Sequence, residues 1–377
     1  MSEKVVKKHH REPLIHITKR ESMAWWKAWS IRGVAILLAL AVAGVIIMLV
    51  SDLNPVDVYV AMAGGNFNLE DPSQTRMMWV TFQKVAILLC ISLAVTPAFK
   101  MKFWNCGAEG QTLMGCVAAA TFMIYCGDSM QPALLFPLML LVSMLAGALW
   151  GVIPAVFKAY YNTNETLFTL MMNYIAISLV AFLEIVWESP KNSAKVGVIN
   201  LFTKGGWLPE INGNRYLPVI VTVLLVCILI FIYLKYSKQG YEISVVGESQ
   251  NTARYVGINV KKVIIRTMAV SGAICGLAGM LLTSGINHTI YPDAVEGQGF
   301  TAILVSWLAS FNPIAMIFAA FLIIFLQRGA GAIATNFGLD DSLADIVTGI
   351  ILFFIIGCEF FIRYKINFRH SKKGGVD

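Results

Sequence analysis

Apolar residues in this chain come in long unbroken runs. "GVAILLALAVAGVIIMLV", residues 33–50, holds 18 positions without a charge. A helix rises ~1.5 Å per residue and a bilayer core is ~30 Å thick, so a run of this length is a candidate crossing. Similar runs recur along the chain. Ten spans are predicted, near 33–50, 78–98, 103–126, 132–156, 166–187, 217–235, 264–284, 298–310, 313–328 and 343–362. Three connecting segments are long: 51–77, 188–216 and 236–263. The expected fold is an all-α integral membrane protein of about ten transmembrane helices. Its parts are a basic N-terminal segment (1–32), a membrane domain (33–365) and a short tail (366–377). Within the first part, "MAWWKAWSIR" carries Trp25, Trp26 and Trp29. Indoles favour the headgroup layer, so this stretch reads as an amphipathic segment lying on the membrane before the first span. Its polar part is too long for a usual signal peptide, and no cleavage is expected.

Composition agrees with the pattern. The chain is 57% hydrophobic and 14% charged, where a soluble domain carries ~25% charged residues. Seven cysteines lie in or beside apolar runs without CxxC spacing, and four of five histidines lie in the tails. Both facts argue against a metal site and for cysteine as a packing residue. The net charge of +7 is explained by topology. With an even number of spans both termini share a side, and that side holds 22 of the 29 Lys and Arg. The positive-inside rule then places both termini in the cytoplasm, and no nucleic-acid partner is required.

Some polar positions do not suit a sequence chosen only to span. In "FWNCGAEGQTLMG" (103–115), Glu109 stands about seven residues into the third span. A charge there costs ~2.5–3.5 kcal/mol on insertion scales, and Gly107 and Gly110 each weaken a helix by ~1 kcal/mol relative to alanine. The pattern predicts a broken or re-entrant helix start whose backbone lines a cavity. Asn105, Glu109 and Gln111 are candidates to line a route for a polar solute, with Asn173 in span five and Gln298 and Thr301 in span eight. The rival reading is a structural network between helices, with Glu109 paired to Asn173 or a neighbouring Ser or Thr. Lys84 is expected to pair with a carboxylate such as Glu184 or to snorkel outward. Asn312-Pro313 should break the chain between spans eight and nine.

"EGQ" occurs at 109–111 and again at 296–298, and the spans before the two copies start 186 residues apart. Spans two to five would then be repeated, inverted, in spans seven to ten. A tripeptide match also arises by chance.

Residues 240–257, "GYEISVVGESQNTARYVG", are too polar to span. Ser249 is placed as an N-cap and Gly257 as the left-handed residue after a helix of about two turns. A helix that short is marginal alone and needs a groove to hold it. The plain alternative is an ordinary cytoplasmic loop. The stretch continuing to "INVKKVIIRTMAVSGAICGLAGM" resembles the coupling region of permease subunits of bacterial ABC importers, in the branch serving ribose, branched-chain amino acids and nucleosides. Glu248, Ala253, Arg254, Tyr255 and Gly257 match that pattern, and Ser249 stands where Asn is frequent. "FWNCGAEGQTLMG", "NETLFTLMMNYIA" and "GQGFTAILVSWLASFNP" agree, the first two being most similar to the larger permease of nucleoside importers. Cys106 replaces a usually aliphatic residue there.

The resemblance runs from about residue 30 to 365. It implies a short cytoplasmic helix, with Gly247, Glu248, Ser249, Ala253, Arg254, Tyr255 and Gly257, that docks on a separate ATPase. The chain has no Gly-Lys dipeptide and so no phosphate loop of its own. ATP and Mg would be bound by that partner, with no catalytic residue or cofactor in this chain. The other implied partners are an ATPase with two nucleotide-binding halves, a second and shorter permease, an extracytoplasmic solute-binding lipoprotein and membrane lipid. The implied location is the bacterial cytoplasmic membrane, and the implied cargo is a nucleoside, with ribose or another simple sugar as alternative. An ion-coupled secondary transporter using Glu109 and Lys84 is a rival from another class. A membrane enzyme is disfavoured, because no clustered His, Asp or Glu constellation is present.

Overall fold

Proline and short polar caps mark where the helices begin. The computed structural model describes residues 15–20, 24–51, 54–64, 72–338 and 341–368. In chain order the elements are β1 (Ile15–Lys19), α1 (Trp25–Ser51), α2 (Pro55–Gly64), α3 (Pro72–Lys100), α4 (Ala108–Cys126), α5 (Pro132–Tyr161), α6 (Glu165–Val186) and α7 (Leu217–Tyr236). Then come α8 (Lys238–Glu248), α9 (Gln250–Tyr255), α10 (Val260–Leu282), a π-helical turn (Thr283–Asn287), α11 (Gln298–Leu308), α12 (Pro313–Phe337), α13 (Asp341–Arg363) and β2 (Tyr364–Phe368). Proline opens α2, α3, α5 and α12, where its missing N–H would have had no intrahelical partner anyway. Asn164, Ser249 and Asn259 cap α6, α9 and α10 through their side-chain oxygens. The chain breaks before Pro313 as expected, and Asn312 Oδ1 accepts the Ile314 N–H.

Seven helices among the described residues are long and apolar enough to cross a membrane. Three of the ten predicted spans fall outside that set. α4 opens with Glu109 and Gln111, which lower its hydropathy. α11 has 11 residues, roughly 16 Å at 1.5 Å per residue, about half a bilayer core. α13 itself has 23 residues, and its apolar stretch among the described residues is Ile346–Ile362. Ahead of α4, the backbone of 103–107 is non-helical and mostly buried in protein, as unpaired polar backbone in a membrane must be.

The chain divides into two compact units, residues 1–64 with 329–377, and residues 65–328. The expected membrane domain, 33–365, runs through both units, and the division falls within α12. In the first unit Ala35, Ala39, Ala43 and Ile47 make a buried stripe on α1, and α1 packs along α13. Val347, Ile351, Ile355 and Cys358 are the corresponding buried stripe of α13. This i, i+4 spacing puts ridges in register. β1 pairs antiparallel with β2, Ile17 opposite Ile366, a pairing of the two tails that the apolar runs do not suggest. From Trp25 onward the tryptophan stretch is the start of α1 and runs without a break into the first span. Residues 1–14, 21–23 and 369–377 of the expected terminal segments lie outside the described residues.

In the second unit α10 is central, buried along nearly its whole length against α5, α4 and α3. Small residues allow this. A Cβ at Gly276 would overlap the Ser143 carbonyl oxygen of α5, and one at Gly279 the Thr112 carbonyl of α4. Without a hydrophobic drive between helices in lipid, such close backbone approach supplies the contact. α11 packs on α3 while α4 packs on α10. Each "EGQ" thus follows a long buried helix and a non-helical stretch, and opens or adjoins a shorter helix.

Candidate functional site

The polar residues of 103–115 make one hydrogen-bonded structure where α4 and α11 meet. Asn105 is wholly buried. Its Oδ1 accepts the Gly107 N–H (3.1 Å) and the Gln111 Nε2–H (3.0 Å). Its Nδ2 donates to Gln111 Oε1 (3.3 Å) and to Ser271 Oγ on α10 (3.1 Å). Asn173, on α6, accepts the Gly110 N–H at 2.9 Å and donates to the Cys106 carbonyl at 2.8 Å. Thr169, one turn earlier on α6, accepts the Cys106 N–H at 3.2 Å. A backbone stretch with no secondary structure is held this way by side-chain amides and a hydroxyl. Gly107 and Gly110 are needed for the approach of α6, because a Cβ at Gly110 would stand 3.1 Å from Asn173 Cα.

Glu109 joins the two halves. Its Oε1 accepts the Gly297 N–H at 3.0 Å and its Oε2 the Gly299 N–H at 2.7 Å. The carboxylate lies in the first turn of α4 and caps the first turn of α11. Both helix ends carry partial positive charge, so a single anion serves two dipoles. Glu109 therefore bonds the backbone of the second "EGQ", and the expected Glu109–Asn173 pair is not formed. Lys84 likewise pairs with Glu296 (2.9 Å) and not with Glu184. Gln298 is buried, and its Oε1 has no hydrogen-bond partner among the described residues. Thr301 Oγ1 donates to the Gly297 carbonyl at 3.3 Å. Asn105, Gly107, Glu109, Gly110, Gln111 and Asn173 thus form one cluster, which Glu109 connects to Gln298 and Thr301 in the first turn of α11. Sequence reasoning misses Thr169 and Ser271. Thr169 is four residues before Asn173 on one helix face, a spacing that could have found it. Ser271 gives no local signal.

Residues 236–263 hold two helices. α8 is not expected from the sequence pattern; α9 stands where the caps put it. Ser249 Oγ accepts the Thr252 N–H at 3.3 Å. Gly257 takes φ +83°, and the Ile258 N–H returns to the Ala253 carbonyl at 2.9 Å. That closure is the one a left-handed glycine permits. Ala253 is buried in a core with Ala98, Met101, Phe103, Ile243 and Val246. Glu248 and Arg254 are exposed, and Tyr255 is 93% exposed. Gly247 is buried, and a Cβ there would overlap the Lys100 carbonyl at the end of α3. The α8–α9 pair is therefore seated on the turn that leads into Asn105.

On the far side of the unit, residues 188–216 are pinned down. The Ile199 N–H donates to the His288 carbonyl (2.8 Å), Trp207 Nε1 to the Ile199 carbonyl (2.8 Å), and the Leu208 N–H to the Ser284 carbonyl (3.0 Å). The Trp207 and His288 rings stack at 3.7 Å. Burial, and then the Arg215 charge, push the His288 pKa down from 6.5 to about 4. The native state thus favours neutral imidazole. Its stabilising contribution is complete above pH ~6.5 and declines as pH falls toward 4, where the unfolded chain binds the extra proton. The Trp207 contribution to fluorescence, taken as wild type minus Trp207→Phe, should titrate with a midpoint near 4. A midpoint near 6.5 would show that the ring is not desolvated by the stack.

Residues 77–356 match the family described as "Branched-chain amino acid transport system / permease component". The chain is 32% identical over 348 residues to the guanosine ABC transporter permease protein NupP of Bacillus subtilis, covering 90% of this chain and 96% of that one. It is 29% identical to the nucleoside ABC transporter permease protein NupB of Lactococcus lactis, covering 83% and 86%. It is 26% identical to the glucose ABC transporter permease protein TsgB13 of Haloferax volcanii, covering 96% and 95%.

Proposed function

This chain belongs to the family of branched-chain amino acid transport system permease components, and from that premise we propose that it is the membrane permease of an ABC importer for nucleosides. The observation that carries the coupling part of this reading is α9. It is a short capped helix with Ala253 buried on its own core and Arg254 and Tyr255 turned outward, seated through α8 and Gly247 on the end of α3. In this reading an ATPase on separate chains receives α9, and an extracytoplasmic binding protein docks over 188–216. A second permease completes the pathway, and both termini are cytoplasmic.

Nucleotide binding by the partner shifts α9 and α8. The Lys100–Phe103 turn shifts with them, and the Asn105–Glu109 cluster follows. Breaking and remaking the Glu109 link to α11 then separates two discrete arrangements of the bundle. Solute affinity in the permease stays weak, since the binding protein supplies capture. The nucleoside assignment is supported by the higher identity to NupP and NupB than to TsgB13. A simple sugar is the second reading, favoured by the near-complete coverage of TsgB13.

The test is uptake of labelled guanosine by proteoliposomes holding the complete transporter. Uptake should require ATP, ignore ion gradients and be indifferent to excess glucose or ribose. Tyr255→Ala should abolish ATP-driven uptake with a stability change within ~0.5 kcal/mol, because the side chain is exposed. Gradient-driven uptake without ATP would refute the ABC assignment, and competition by sugar the nucleoside one.

A further inference from the structure

Between α8 and α10, beside the base of α9, lies a cavity of about 330 Å³. Lys238, Gln239, Glu242, Asn259, Lys262 and Arg266 line it. Glu242 is occupied by Arg266 at 2.9 Å. Lys238 and Lys262 are exposed and have no carboxylate partner among the described residues. Two helix starts open onto the same space. Lys238 and Gln239 are the first residues of α8, and Asn259 caps α10. At these starts Ser237 Oγ accepts the Gly240 N–H and Asn259 Oδ1 the Lys262 N–H, which leaves other first-turn N–H groups without an intrahelical acceptor and both ends partially positive. Arg266 adds a guanidinium to this wall, held by Glu242 and interacting with the Tyr233 hydroxyl of α7. The cavity wall is thus rich in donors, and its one carboxylate is already neutralised. A compact anion with several acceptor oxygens is what such a wall recognises, and a phosphate meets that description.

The surroundings indicate where the phosphate comes from. Tyr236 and Tyr241, at the junction of α7 and α8, are 69% and 62% exposed. Lys235 lies over the Phe231 and Tyr236 rings, 5.2 and 5.4 Å from their centroids. Exposed tyrosines and basic residues at the end of an apolar helix mark the headgroup layer. We infer that the cavity between α8 and α10 binds the phosphate of an anionic phospholipid such as phosphatidylglycerol. That the leaflet is the cytoplasmic one rests on the topology proposed above; the binding itself does not. A headgroup there bridges α8 to α10 and stiffens the seat of α9, so that lipid charge sets how firmly the coupling helix is held.

The test uses the full-length protein in nanodiscs of phosphatidylcholine with or without phosphatidylglycerol, with bound lipid read by native mass spectrometry. Wild type should retain phosphatidylglycerol over phosphatidylcholine. The Lys238→Gln/Lys262→Gln variant should lose that preference by about twenty-five-fold, at roughly fivefold per lysine, with unchanged thermal melting. Both side chains are exposed, so folding is not at risk. Lys191→Gln/Lys195→Gln, exposed in residues 188–216 on the far side of the unit, should leave retention unchanged. Equal retention by the Lys238/Lys262 variant would overturn the site. Displacement of the lipid by inorganic phosphate at millimolar levels, or phosphate binding without lipid preference, would overturn the lipid assignment in favour of a soluble anion. Loss of ATPase co-purification without any change in lipid retention would assign the lysines to an acidic protein surface instead. None of these outcomes depends on which solute is carried.

Discussion

Replacing Glu109 by glutamine should cost ~2–3 kcal/mol of stability and most of the transport. The carboxylate accepts two N–H bonds, from Gly297 and Gly299. A glutamine of the same shape keeps one acceptor and turns an NH₂ group toward the other N–H, so one bond is lost and two donors are opposed. Hydrogen bonds to a charged acceptor are worth ~1.5–3 kcal/mol each. Glu109→Ala should be worse, because it leaves both donors without an acceptor and Gly299 is buried. The measurement is thermal unfolding of the purified protein beside guanosine uptake by the complete transporter. A role limited to solute contact would change the concentration dependence of uptake and leave melting untouched. That outcome, or full activity and stability in Glu109→Gln, would dismiss the link between the two helix starts.

The second large effect is expected at the centre of α10. A side chain at Gly276 has nowhere to go, because even its Cβ would overlap the Ser143 carbonyl of α5. The Gly272 and Gly147 backbones are equally close to each other, so α5 cannot slide to relieve the clash locally. Gly276→Val should cost ~3 kcal/mol or more by overpacking, with poor recovery of folded protein. Cys116 of α4 and Cys275 of α10 lie buried where α4 meets α10 beside Gly276 and report on the packing there, since their thiols should become accessible to an alkylating reagent at a much lower temperature in the variant. Gly357→Ala is the control: nothing lies within 4 Å of its added Cβ, and the helix gains ~1 kcal/mol of intrinsic propensity at most. Equal thiol protection in Gly276→Val and wild type would show that α5 and α10 do not touch as described.

α9 shows how much of a site can be legible in a sequence. A cap needs only neighbouring residues, so Ser249 and Gly257 mark both ends of the helix by themselves. The longer α8 is hidden because its polar residues disguise an amphipathic helix, whose apolar Ile243 and Val246 meet the end of α3 only in the folded chain. The polar residues around Glu109 tell the opposite story. Their polarity marks them as unusual for a span, and the rival reading of a helix-to-helix network is the one their geometry follows. Yet the partners differ in detail: Glu109 takes backbone N–H groups where the network reading offers Asn173 or a Ser or Thr, and Lys84 pairs with a carboxylate as expected, Glu296 in place of Glu184. Span counting has a similar limit. Polar first turns and breaks are visible at α4 and α11, but an 11-residue helix followed by the turn at 309–311 reads as one apolar run.

What the sequence decided by itself is whatever depends on short stretches: membrane class, the places of the helices, proline starts, and the caps of α9. These follow from hydropathy summed over a window and from side chains bonding their own nearest backbone. What only the tertiary structure decided is which distant groups meet. Glu109 finds its partners 188 and 190 residues away in backbone N–H groups, which every residue but proline possesses and which therefore leave no mark in the sequence.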